Sequence, residues 1–225
     1  GYRAETGTNF DGAYTLALPG VPGDSVNQPG GDGYGLIIVT NNGVKLTGSK
    51  LADGQNLGQT ITLSENGYWP LYCWANKDAV SGQFKGLIMG WLVYTNGGLT
   101  NSGDLVWINQ GVAGTRYSAG FSNVITEVLG SAYNAAANPK LTLNDGNGVV
   151  TLDGAALSSL GYSVKLTNGL FNFGTNGAVI KLTLTPATGK VAGTVKAAGS
   201  PYAASATPIS GVLLQNLDVA RGYFA

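Results

Sequence analysis

Aromatic side chains are the residues of this chain best suited to bind another molecule. All four tryptophans lie between positions 69 and 107, and Tyr68, Tyr72 and Tyr94 lie among them. Rings that stand exposed on a β-sheet can bind a sugar or a protein partner. The candidate ligand-binding residues are Tyr72, Trp74, Trp91 and Tyr94.

Strand periodicity predicts which face of a sheet each ring occupies. Successive side chains of a strand point to opposite faces. Trp69 and Cys73 therefore point one way, and Tyr72 and Trp74 point the other way. Because both faces are then apolar, the pattern favours strands covered on both sides and hence core packing. Exposure of Tyr72, Trp74 and Tyr94 in one plane would instead favour a binding face.

Residue types that catalysis and metal binding usually need are scarce. The chain has no histidine and a single cysteine, Cys73, which we interpret as a small buried residue. Five aspartates precede glycine, as is typical of turns: Asp11, Asp32, Asp53, Asp145 and Asp153. Glu65, Asp104, Glu127 and Asp218 lack that context, and nothing in the sequence brings two of them together. We therefore expect no enzyme activity, no metal site and no cofactor.

Charge and composition narrow the classes of partner and the location. The 12 basic and 12 acidic side chains cancel, so the chain lacks the basic patch that nucleic acids or anionic membranes attract. It also lacks the ~18 consecutive apolar residues of a membrane helix. Abundant glycine, low charge and a first residue other than methionine favour a processed, secreted bacterial protein, extracellular or at the cell surface.

The chain contains a repeated strand–turn–strand unit. Residues 39–49 (V-T-N-N-G-V-K-L-T-G-S) recur as residues 184–194 (L-T-P-A-T-G-K-V-A-G-T). Turn residues interrupt apolar runs every eight to twelve positions, the spacing of a sandwich or barrel. Strands are predicted at 11–18, 34–40, 44–49, 59–63, 68–75, 84–95, 104–109, 149–152, 162–167, 170–173, 178–185, 190–196 and 209–215, with a hairpin turn at 144–148.

One segment shows a different periodicity. Phe121, Val124, Ile125 and Val128 fall at helical spacing, so residues 122–129 are predicted as a short helix or an irregular crossover. The predicted fold is all-β: two consecutive antiparallel β-barrel or β-sandwich units, residues 1–118 and 139–225, joined by a crossover at 119–138. The two units are expected to pack together and bury the aromatic strands between them.

Short motifs along most of the chain resemble a Gly-rich all-β domain of unknown function found near the C-terminal end of long secreted or surface proteins of environmental bacteria. The motifs that carry this resemblance are Asp11-Gly12, Tyr14-Thr15, Pro19-Gly20, G-D-G-Y-G at 31–35, Ala52-Asp53-Gly54, W-P-L-Y at 69–72, Gly90-Trp91, Gly103-Asp104-Leu105, Trp107, Tyr117, A-G-F at 119–121, Thr185-Pro186, Thr188-Gly189, G-V-L-L-Q at 211–215 and G-Y-F at 222–224. The resemblance implies a structural or adhesive module without catalytic residues. In such domains the last strand continues, whereas this chain stops at Ala225.

The expected function is a non-catalytic extracellular structural or cell-surface module, with other protein chains or copies of itself as partners. An unpaired last strand would favour assembly, because a free β edge can accept another chain. The alternative is a carbohydrate-binding module that uses the aromatic strands at 69–107.

Overall fold

The computed structural model describes residues 10–41, 43–137, 147–154, 157–167, 170–196 and 205–224. Most of the predicted strands are present within a few residues of their predicted ends, because alternating apolar side chains bury one face of each segment. The strands are β1 (Gly12–Leu18), β2 (Gly33–Thr40), β3 (Gly43–Leu46), β4 (Ser49–Lys50), β5 (Asn56–Leu57), β6 (Thr60–Thr62), β7 (Tyr68–Lys77), β8 (Phe84–Thr95), β9 (Gly98–Asn101), β10 (Leu105–Asn109), β11 (Phe121–Ile125), β12 (Leu129–Tyr133), β13 (Asn147–Gly154), β14 (Leu157–Thr167), β15 (Leu170–Asn172), β16 (Ile180–Thr185), β17 (Lys190–Val195), β18 (Thr207–Leu214) and β19 (Val219–Phe224). Short 3₁₀ turns lie at Pro22–Asp24, Ala135–Ala137, Gly174–Ala178 and Gln215–Leu217.

The strands form three antiparallel sheets. The first sheet has the order β12-β1-β2-β3-β6, with the short strand β4 paired to β2 and the short strand β5 paired to β4. The second sheet has the order β11-β10-β8-β7, with β9 also paired to β8. The third sheet is a meander from β13 to β19 that curves into a half-barrel. The all-β prediction is therefore confirmed.

The first sheet is the middle layer of the molecule. Every residue from Thr15 to Leu18 in β1 is buried, so this strand is covered on both faces. Leu16 belongs to the core shared with Trp69 and Trp107 of the second sheet. On the other face, the Thr15 hydroxyl donates a 2.7 Å hydrogen bond to the carbonyl of Leu213 in the third sheet. The layers therefore run second sheet, first sheet, third sheet.

This layering differs from the expected burial of the aromatic strands between the two halves of the chain. The third sheet packs against β1, β2 and β12 instead of β7 and β8. Thr15 is the polar side chain of the buried part of β1, and its hydroxyl group bonds to a backbone carbonyl of the third sheet, so β1 can be buried on that face as well. The sequence pattern of β1 and that of β7 are both apolar, and only the packing distinguishes them.

Residues 122–129 are the end of one strand, a three-residue link at 126–128 and the start of the next strand, instead of the predicted short helix or irregular crossover. Phe121–Ile125 is β11, where buried Asn123 and Ile125 alternate with exposed Ser122 and Val124. The Phe121 ring packs edge-on against Trp107 with the ring centroids 4.8 Å apart. A short apolar run fits both periods, and pairing with β10 selects the strand.

The repeated unit forms a hairpin in both places, but the two turns differ. In the first copy Thr40 pairs with Gly43, and in the second Thr185 pairs with Lys190. The equivalent positions Val39 and Leu184 are both buried. The second copy thus keeps the buried face while its turn is two residues longer. The predicted hairpin turn at 144–148 lies mostly outside the described residues.

Close backbone contact joins the first two sheets at Gly130 of β12. A Cβ atom at this position would lie 2.2 Å from the Leu99 carbonyl oxygen in β9. The neighbouring Ala132 N–H donates to the Gly97 carbonyl at 3.1 Å. Glycine is required here because any side chain would separate the two sheets.

Substitution of Thr15 tests the bond between the first and third sheets. Thr15→Val should lower the free energy of unfolding by about 1–2 kcal/mol, because the buried Leu213 carbonyl loses its donor while the side-chain shape is kept. Urea denaturation measures the effect. Thr40→Val, at an exposed position of β2, is the matched control and should change stability little. Equal effects of both substitutions would contradict the proposed role of Thr15.

Candidate functional site

The register of β7 and β8 brings the exposed aromatic residues together. Tyr72 lies opposite Met89, Trp74 opposite Leu87, and Pro70 opposite Trp91. Directly opposed residues of an antiparallel pair share one face. These side chains therefore lie on the same side of the second sheet.

The same face continues across the next two strands. Met89 lies opposite Val106 of β10, which in turn lies opposite Val124 of β11. The outward side chains of this sheet, called the aromatic face from here on, are Tyr68, Pro70, Tyr72, Trp74, Leu87, Met89, Trp91, Val93, Val106, Ile108, Ser122 and Val124.

The aromatic face is open to solvent. Trp74 is 51% exposed, and Tyr72 and Trp91 are each 45% exposed. The opposite face of the same strands is core, with Trp69 at 0% and Cys73 at 2%. The two faces of β7 and β8 therefore have different roles, which corrects the interpretation that these strands are covered on both sides.

Tyr94 does not belong to the aromatic face. Its side chain is 5% exposed and packs 4.8 Å from Tyr14 and 5.6 Å from Phe10 between ring centroids. Burial raises the pKa of the Tyr94 phenol. Three of the four candidate ligand-binding residues therefore come together, and the fourth is a core residue.

Several residues of the face were not singled out as candidates from the sequence. Tyr68 is 40% exposed, Met89 41% and Val124 53%. Phe84 lies outside the twelve-residue set but borders the face, because its ring is 48% exposed and stacks beside Trp74 at 6.1 Å with ring planes 26° apart. The alternation of Met89 with Ile88 predicts that the two side chains lie on opposite faces of the sheet. Which of those faces is exposed depends on which side of the sheet another layer covers.

The rings do not form one flat platform. Tyr72 and Trp74 lie 5.4 Å apart between centroids with their planes at 81°, an edge-to-face pair. A sugar chain that stacks along a surface needs ring faces turned outward together. The edge-to-face arrangement instead resembles the packing of aromatic clusters in protein cores and interfaces.

The aromatic face is also poor in hydrogen-bonding groups. Apart from the phenol and indole groups of its rings, the polar side chain of the twelve-residue set is Ser122. The set contains no carboxylate and no amide, the groups that commonly bind sugar hydroxyls. Its chemistry is that of an apolar contact surface.

A second concavity lies inside the half-barrel. It has a volume of about 330 Å³ and is lined by apolar residues including Leu152, Val164 and Leu182. At its rim the Asp32 carboxylate lies 3.9 Å from the Arg221 guanidinium, and it accepts a 3.4 Å hydrogen bond from the Gly20 N–H. Asp32 and Arg221 are therefore directed at each other, while Arg116, Asp153 and Asp218 also line the concavity. The exposed aromatic rings of the described residues, by contrast, cluster on the second sheet, which makes the aromatic face the stronger candidate for an apolar partner.

Within the described residues, no cluster of three or more His, Cys, Asp or Glu side chains is placed to hold a metal ion. Over the same part of the chain, helices long and apolar enough to cross a membrane are absent.

Comparisons of the chain with protein-family models, with curated proteins and with solved structures found no match, so the function must be argued from the geometry of the site.

Substitutions on the two faces of β7 should differ sharply in their effect on stability. Trp74→Ala should lower the free energy of unfolding by about 1 kcal/mol or less, because half of its ring is already in water. Trp69→Ala should cost about 3–5 kcal/mol, because it leaves a cavity and removes the indole N–H bond to Gln59. Urea denaturation of both variants tests the assignment, which equal losses would contradict.

Asp32 should make stability depend on pH. Burial raises the pKa of its carboxyl above the ordinary value, an effect that Arg221 and the Gly20 N–H partly oppose. The folded state disfavours the ionised carboxylate. The contribution of Asp32 to the free energy of unfolding is therefore fully present below the ordinary pKa and is lost as pH rises through the raised pKa. Asp32→Asn should remove that loss. Denaturation between pH 3 and pH 7, with the exposed-site variant Asp104→Asn as control, measures it.

Proposed function

We propose that this protein is a non-catalytic structural module that assembles by packing its aromatic face against another protein surface. The observation that carries the proposal is the exposure of Tyr72, Trp74 and Trp91 on one side of a sheet whose other side is core. Apolar patches of this extent on soluble proteins commonly mark interaction sites.

The kind of partner follows from the chemistry of the face. Tryptophan and tyrosine are enriched at the energetic centres of protein interfaces, where they fill apolar pockets. The perpendicular Tyr72 and Trp74 rings and the missing carboxylate and amide groups favour such a partner over a polysaccharide. Carbohydrate binding remains the second candidate, because half-exposed Trp91 could still stack on a sugar.

The proposed setting is extracellular or at a cell surface. It is supported by the low charge and the glycine-rich composition of the chain. The absence of a catalytic role is likewise proposed from the missing histidine and the scattered carboxylates.

Sedimentation velocity over a range of protein concentrations tests the proposed function. The unmodified protein should form species larger than the monomer, and Tyr72→Ser/Trp74→Ser should return it to the monomer, because the centre of the face is removed. The matched control is Val149→Ser/Leu170→Ser, two residues of the third sheet that are each 66% exposed. The control variant should assemble like the unmodified protein.

Binding to insoluble polysaccharides separates the two candidates. The same proteins are incubated with cellulose, chitin and xylan, and the bound fraction is measured. We expect no retention. A monomeric protein that is retained, and that loses retention with the Tyr72→Ser/Trp74→Ser variant, would replace the assembly proposal with carbohydrate binding.

A further inference from the structure

We infer that the occupant of the aromatic face is a second copy of this chain. The two copies are related by a two-fold axis that lies between the two sheets and runs perpendicular to the strands. The two aromatic faces then stack with their strands antiparallel. This inference rests on the proposed function. It specifies the partner, the symmetry and the orientation, none of which follows from exposure alone.

The first argument is the distribution of charge around the face. At the end where β7 begins and β8 ends, the exposed acidic residues are Glu65, Asp104 and Glu127. At the opposite end, where β7 ends and β8 begins, the basic residues are Lys77 and Lys85. Arg116, on the loop after β10, lines the concavity of the third sheet instead. The apolar face is thus bordered by acidic groups at one end and mainly by basic groups at the other, where Asp78 is the acidic exception.

Hydrogen bonds to backbone carbonyls hold the loops and strand ends that carry these charged residues at their ends of the sheet. The Asn101 amide donates to the carbonyls of Gly103 and Thr126, which ties the loop before Asp104 to the loop before Glu127. At the other end the Gln110 N–H donates to the Lys85 carbonyl at 2.7 Å. The charge separation therefore depends on strand ends that are fixed by hydrogen bonds.

Charge complementarity selects the orientation. If two copies stacked with parallel strands, the acidic end of one would face the acidic end of the other, and like charges would repel. With antiparallel strands, each acidic end faces a basic end, so the same contact is made twice by symmetry. Glu65 of one copy then faces Lys77 of the other, because Glu65 precedes β7 and Lys77 is its last residue.

The second argument is the area available for burial. Five aromatic rings are about half exposed: Tyr68, Tyr72, Trp74, Phe84 and Trp91. At about 150–250 Å² for each complete side chain, their exposed halves offer about 400–600 Å² per copy. Two copies would bury about 800–1,200 Å² from these rings alone, and Met89 and Val124 add to it. Such a contact reaches the lower range of specific protein interfaces, about 1,200 Å² in total.

Site-directed cross-linking tests the orientation. Glu65→Cys and Lys77→Cys variants of the chain are mixed and treated with a short bismaleimide. Because packed sheets lie about 10 Å apart, the mixture should give a covalent dimer, and each variant alone should give at least tenfold less. The native Cys73 is buried, so the unmodified chain serves as the background control.

Charge reversal supplies an independent readout. Glu65→Lys/Asp104→Lys/Glu127→Lys should weaken dimerisation at least tenfold at low salt, because basic groups then face basic groups. Adding Lys77→Glu/Lys85→Glu to the same chain should restore it, since the ends are complementary again. Sedimentation velocity at low and high salt measures both effects.

The outcomes separate this inference from the proposed function. Cross-linking of Glu65→Cys with itself, or assembly into species larger than a dimer through the aromatic face, would overturn the two-fold antiparallel arrangement and leave the proposed function in place. A protein that stays monomeric up to millimolar concentration would overturn both.

Discussion

Burial of the first sheet on both faces fixes the positions of the other two sheets. Leu16 contributes to the core shared with the second sheet, while Thr15 bonds across to Leu213 of the third sheet. Because the middle sheet covers one face of each neighbour, the outer face of the second sheet is left to solvent. The exposure of Trp74 and Trp91 follows from this layer order and not from any property of β7 or β8 by themselves.

Two properties of the outer face act together in the proposed role. Apolar rings supply the tendency to associate, because removing them from water is favourable wherever a complementary surface is present. Charges at the two ends of the strands supply direction, because Coulomb repulsion penalises one stacking orientation and favours the other. The neutral total charge of the chain conceals this local separation of sign.

The strands were predictable to within a few residues wherever period-two alternation is bounded by turn residues, as in the 84–95 segment that became β8. The 121–125 segment was not, because apolar groups at 121, 124 and 125 match a helical period, while 121 and 125 alone also match a period of two. Pairing with β10 selects the strand, and that pairing is a long-range contact. The same holds for Tyr94, whose place in the core depends on contacts with Phe10 and Tyr14, some 80 residues away along the chain.

Local composition and the period of two are enough to predict the all-β class, the two-sided apolar character of β7 and β8, and the grouping of the tryptophans in one region. Which sheet lies in the middle, and therefore which aromatic residues are core and which are exposed, depends on long-range packing. A strand with two apolar faces can be covered on one side or on both, and only the packing of the other layers selects between these. Here the third sheet packs against β1, β2 and β12, and the hydrogen bond from Thr15 to Leu213 is one of the contacts between them.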